Sequence, residues 1–197
     1  MPVGRGPNND VWLSVARYSY HAESVTAVKS HIYVYSPWVY PGGFSYAFVI
    51  MGNSAYWDYA QIGNYEAAGD DRAAAIQWGT GVPPAHQMNL APRPLGTTPL
   101  FTVRRSGSTF LFKVGTATKM TVDLAWTPTV GEIASEVHNN ATQLMGDSGE
   151  HENFNTNSIA INGGVWQTFD GTLLSYDTSW YGESGSNASF DTWDKTC

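Results

Sequence analysis

Two residues frame the chemistry open to this chain: Gln61, within YWDYAQIGNY (56–65), and Glu136, within GEIASEVHNN (131–140). Side chains alternate along a strand. An extended 56–65 therefore sets Gln61 on one face with Trp57, Tyr59 and Tyr65, and an extended 131–140 sets Glu136 with Glu132 and His138. If the two segments are neighbours on one concave sheet, an amide, a carboxylate and a ring of aromatics meet in a groove. A carboxylic acid with a raised pKa serves as general acid or base, and an amide beside it holds a water or an oxyanion. The same set also suits a sugar, whose hydroxyls meet the polar groups while its C–H faces stack on rings. Ordinary solvent-facing strand positions produce the same spacing, so all three readings stand at this point.

Other constellations are weaker. The run 147–152 (DSGEHE) packs acids and a histidine into a turn-rich loop of the kind that suits Ca²⁺, but its spacing is not that of a 12-residue calcium loop. No His-Glu-x-x-His motif offers zinc, and no metal or other cofactor is expected. No Gly-x-Ser-x-Gly elbow is present, and the five histidines are scattered at 21, 31, 86, 138 and 151. Trp38-Val39-Tyr40-Pro41-Gly42-Gly43 sets two large rings in a turn, where burial is harder, so Trp38 is a candidate contact for a glycan or a protein surface.

The elements that must position these residues read as short strands. Segments 31–35 (HIYVY), 44–51 (FSYAFVIM), 101–105, 109–114, 120–126, 158–161, 165–169 and 189–193 are rich in β-branched and aromatic residues, with turn clusters between them. Segment 131–145 fits helical and strand periods about equally, and its β surroundings favour a strand. Segment 71–78 (DRAAAIQW) suggests one short helix. Segment 83–99 holds five of the ten prolines and reads as a long crossing loop, since proline is excluded from sheet interiors. The expected fold is all-β: an antiparallel β-sandwich or jelly roll of the lectin-glucanase type, with a flexible segment at 1–10 and a single domain over 11–197.

Composition narrows the function classes. The chain has 197 residues, 27 of them aromatic (8 Trp, 11 Tyr, 8 Phe), and a net charge of −7. An acidic chain lacks the clustered cations that hold nucleic-acid phosphates, so no nucleic-acid partner is expected. No apolar run is long enough for a membrane span. The single cysteine, Cys197, cannot form an internal disulfide or a zinc-thiolate site. Residues 1–10 carry no apolar signal region, yet the Tyr-, Trp- and Ser/Thr-rich, Lys-poor composition suggests an extracellular protein, either secreted or virion-associated.

Residues 46–66 (YAFVIMGNSAYWDYAQIGNYE), a following pair of strands, and 131–140 together resemble the glutamic peptidases, or eqolisins. The resemblance implies a β-sandwich of the lectin/glucanase type and a catalytic Gln-x-Gly phrase, matched by Gln61-Ile62-Gly63. It also implies a catalytic glutamate further along, matched by Glu136. The tryptophan-rich phrase around the family's glutamate is absent here, and His138-Asn139-Asn140 stands in its place. Trp166-Gln167-Thr168-Phe169 and Trp193-Asp194 also resemble phrases of secreted actinobacterial proteins, which imply no activity. The sequence as a whole reads first as an extracellular recognition module that binds glycans or a partner surface through an aromatic-lined concave face. The rival reading is a glutamic-peptidase-like hydrolase using Gln61 and Glu136. A structural coat or decoration protein with assembly partners is the third.

Overall fold

The computed structural model describes residues 12–53, 58–69, 73–80, 86–139, 141–175 and 179–197. The segment 1–10, Trp57 and Asn140 lie outside the described residues. Every regular element among the described residues is a strand: β1 (Trp12–His21), β2 (Val25–Ile32), β3 (Phe44–Gly52), β4 (Asp58–Ala67), β5 (Ala73–Thr80), β6 (His86–Pro92), β7 (Leu100–Ser106), β8 (Thr109–Val114), β9 (Ala117–Asp123), β10 (Val130–His138), β11 (Glu152–Ile161), β12 (Gln167–Thr168), β13 (Thr172–Ser175), β14 (Tyr181–Ser186) and β15 (Ser189–Asp194). They form two antiparallel sheets, one ordered β13-β1-β10-β3-β4-β5-β6 and the other β14-β15-β11-β2-β7-β8-β9, with β12 beside β11. The chain is an all-β sandwich.

The inner faces interlock in one core. Val49, Met51, Ile62, Ile76 and Ile133 come from the first sheet, and Val28, Phe101, Val103, Phe112, Phe154 and Ile159 from the second; all are buried. Phe154 and Phe190, side by side on β11 and β15, stack with ring centres 4.5 Å apart. Burying one such side chain contributes about 2–3 kcal/mol. This apolar layer, rather than any covalent link, holds the sheets together.

Three expectations change. The described part of segment 71–78, from Ala73, is not helical: it lies in β5, which pairs with β4 along its length. Its alanines carry little strand propensity, but Ala74 and Ile76 face the core while Ala75 and Gln77 face outward, and that tertiary pattern overrides local preference. Segment 83–99 is not all loop, since it contains β6. This is an edge strand, where the proline at its end, Pro92, leaves no ladder hydrogen bond missing. Segment 31–35 is mostly beyond β2: Tyr33 and Tyr35 lie in the extended stretch that leads to β3. The joint at 105–108 is a hairpin turn as expected, with Gly107 at φ 63°, a region that glycine enters without strain.

Candidate functional site

β3 is buried on both faces, although only one face meets the other sheet. Its inward residues Ala47, Val49 and Met51 join the sandwich core. Its outward residues Tyr46, Phe48 and Ile50 form a second buried cluster with Tyr59, Ala75 and Ala134, and Phe44 and Tyr65 pack against it. The outer face of the first sheet therefore carries its own aromatic floor. Tyr46, wholly buried, donates its hydroxyl to the Ala75 carbonyl at 2.7 Å. That bond runs from β3 to β5 across β4, at the level where Gly63 has no side chain. A Cβ on Gly63 would sit 1.9 Å from the Ala47 carbonyl oxygen, so glycine here permits the close approach of β3 and β4.

Gln61 and Glu136 both project from this outer face. Gln61 on β4 is opposite Ile50 on β3, and Ile50 is opposite Glu132 on β10. Glu136 is opposite Tyr46, which is opposite Tyr65. The two strands are not direct neighbours, as the simplest form of the groove required: β3 lies between them. Glu136 stands beside Tyr46 of that middle strand. Burial first, and the Glu136 charge second, raise the phenol pKa of Tyr46 and of Tyr59, the latter two residues from Gln61 on the same face. Both phenols stay neutral throughout the range in which a carboxylate works.

Gln61 is buried, and its Nε2 donates to Gln77 Oε1 at 2.5 Å. Glu132 is also buried, while Glu136 and His138 are half-exposed. His138 stacks on Phe44 at 5.3 Å between centres, and Phe44 packs on Tyr65 at 5.5 Å. These rings edge the Glu136 end of the face. Tyr59 is nearly buried and acts as floor more than as rim. Trp38 does not lie on a strand of this sheet. It sits in the stretch between β2 and β3, edge-on to Tyr40 at 6.0 Å, and its backbone N–H is held by Gln143 Oε1 at 2.9 Å.

The acidic loop folds on itself. Asp147 Oδ1 accepts the backbone N–H groups of Gly149 and Glu150, and Oδ2 accepts the Tyr35 hydroxyl at 2.6 Å. The tyrosine, then the backbone donors, hold the Asp147 carboxyl below its ordinary pKa. Glu150 takes the Tyr33 hydroxyl. Among the described residues no group of three or more His, Cys, Asp or Glu side chains is arranged to hold a metal.

Sequence reasoning passed over two features. Gln77 was masked by the helical reading of 71–78, although the alternation Ala75/Gln77 against Ala74/Ile76 was present in it. Glu152 is fully buried on β11, and both its carboxyl oxygens lack a hydrogen-bond partner at ordinary geometry. Nothing in ENFNTNSIAI separates that glutamate from a surface one.

No family profile matches the chain. No curated protein sequence matches it either. Solved structures do. Scytalido-glutamic peptidase with a transition-state analogue inhibitor is similar over 93% of this chain and 100% of its own, with a TM-score of 0.69 and 11% identity. SCP-B, a member of the eqolisin family in complex with the tripeptide Ala-Ile-His, gives 0.63 and 12% over the same shares. This chain has the eqolisin fold. The resemblance is distant in sequence and extends over 93% of this chain. Among the described residues no helix is long and apolar enough to cross a membrane.

Proposed function

We propose that the chain is a glutamic-type peptidase working outside the cytoplasm on extended peptide substrates. One observation carries the reading: Gln61 rises from the same face of one sheet as Glu132, level with it across β3, and Glu136, four residues further along β10, over an aromatic floor, in a chain that follows the fold of a glutamic peptidase over 93% of its length. In the reaction the Glu136 carboxylate takes a proton from water as the water oxygen bonds to the peptide carbonyl carbon. The carbonyl electron pair moves to its oxygen, and an N–H of Gln61 donates to that oxyanion. Glu136 then returns the proton to the departing amine nitrogen as the C–N bond breaks.

A second reading, recognition of a peptide or glycan on the same face without turnover, draws support from the half-exposed rings Phe44, Tyr65 and His138 beside Glu136. Digestion of casein and of mixed peptides from pH 2 to 7, with Gln61→Ala and Glu136→Gln beside the wild type, separates the two. The peptidase reading expects cleavage by the wild type and a loss of at least about a hundredfold in each variant. Absence of cleavage at every pH, with binding lost in Tyr65→Ala, overturns it in favour of recognition.

A further inference from the structure

Gln61 does not stand alone. Gln61, Gln77 and Gln87 occupy directly opposed positions on the three neighbouring strands β4, β5 and β6. Their carboxamides are joined in a single direction: Gln61 Nε2 donates to Gln77 Oε1 at 2.5 Å, Gln77 Nε2 to Gln87 Oε1 at 2.7 Å, and Gln87 Nε2 to Asn89 Oδ1 at 2.7 Å. The relay starts at Gln61 and Gln77, 6% and 5% exposed, and ends at the exposed edge strand.

We infer that Gln77 is a positioning residue, which fixes the orientation of the Gln61 carboxamide. A carboxamide has nearly the same shape with oxygen and nitrogen exchanged, so packing by itself does not choose between the two orientations. A hydrogen-bond chain couples the orientation of each carboxamide to that of its neighbour, so Gln61 cannot turn over alone. Asn89 accepts from Gln87, so the Gln87 oxygen faces Gln77, and the four carboxamides are ordered together. The Gln87 oxygen takes the Gln77 N–H and turns the Gln77 oxygen toward Gln61. Gln61 must then place its nitrogen at the β5 side. Its Oε1 and its second N–H take no part in the relay. Those are the two groups that the chemistry needs, one to accept from a water and one to donate to an oxyanion. With the orientation exchanged, the Gln61 oxygen would confront the Gln77 oxygen, and two acceptors would meet in a buried site.

This inference rests on the peptidase reading for its catalytic consequence, but the hold on Gln61 is measurable without it. Gln77→Met keeps the length of the side chain and removes the acceptor. Gln77→Glu keeps an acceptor once ionised, and the exposed Gln87 can turn to donate to it. In the wild type the side-chain amide proton of Gln61 that points at Gln77 should resonate downfield in ¹H–¹⁵N spectra. It should move upfield in Gln77→Met and return in Gln77→Glu as pH rises. In peptide hydrolysis Gln77→Met should lose about tenfold in kcat, with KM within about twofold. Gln77→Glu should recover kcat with a new dependence on pH that the wild type lacks. An unchanged Gln61 resonance in Gln77→Met overturns the inference whatever the activity. Unchanged kcat in Gln77→Met, with Gln61→Ala inactive, overturns the catalytic role and leaves the peptidase reading standing. If the wild type hydrolyses nothing at any pH, the peptidase reading and the catalytic role fall together, and the spectra still decide whether Gln77 holds Gln61.

Discussion

Replacing Glu152 by Gln should make the protein more stable at neutral pH and change the shape of its stability curve. Glu152 lies on β11 with no exposed surface, and neither of its oxygens has a partner at good geometry. Burial pushes its carboxyl well above the ordinary value; the Asn64 amide nearby offsets part of that, and the Glu150 charge adds to it. One Nδ2 hydrogen of Asn64 goes to the Tyr33 carbonyl at 2.9 Å, and the other makes no bond of good geometry to Glu152. The folded state therefore keeps a proton that the unfolded chain releases near pH 4.3. Such a group stabilises fully below that pH, and its contribution is lost as pH rises toward and through the folded value. The loss is about 1.4 kcal/mol per pH unit across the window. Glu152→Gln keeps the shape and has no proton to lose. Urea unfolding of both proteins at pH 4, 5.5 and 7 should show near-equal stability at pH 4 and a growing advantage for the variant above it, with equal m-values. Parallel curves for the two proteins would refute the reasoning, because they would mean that Glu152 is ionised at no cost in the fold.

Two further perturbations probe the frame around the site. Gly63→Ala places a methyl group 1.9 Å from the Ala47 carbonyl oxygen and 2.6 Å from the Phe48 Cα, both backbone atoms that cannot step aside. It should cost at least about 1–3 kcal/mol and lower the melting temperature by several degrees in calorimetry; an unchanged melting temperature would contradict the close β3–β4 approach. Tyr35→Phe removes the first cause of the depressed Asp147 carboxyl and leaves the Gly149 and Glu150 donors. The Asp147 pKa should rise part of the way to its ordinary value in a ¹³C carboxyl titration. The stability that this aspartate lends above its unfolded pKa, lost as pH falls through the folded value, should shrink with it. No movement of the Asp147 titration would show that the tyrosine does not hold the carboxylate.

The sequence determined the class of fold, and it set the faces on which the two candidate catalytic residues lie. Strand alternation is local and strict, so YWDYAQIGNY and GEIASEVHNN already assigned Gln61 with Tyr59 and Tyr65, and Glu136 with Glu132 and His138. The apolar run at 44–51 likewise marked a strand, and its continuity fits the burial on both faces that β3 shows. Pairing is not local. That β3 lies between β4 and β10, that Ala-rich 73–80 is the fourth rung of the same face, and that His86–Pro92 closes its edge depend on which strands the shared core brings together. Only that arrangement sets Gln61, Gln77 and Gln87 in line, because a ladder of amides exists only where the register of three strands coincides. The buried Glu152 is the same lesson in electrostatics. A carboxylate is ordinary in a sequence, and its cost appears only when the opposing sheet has taken its water away.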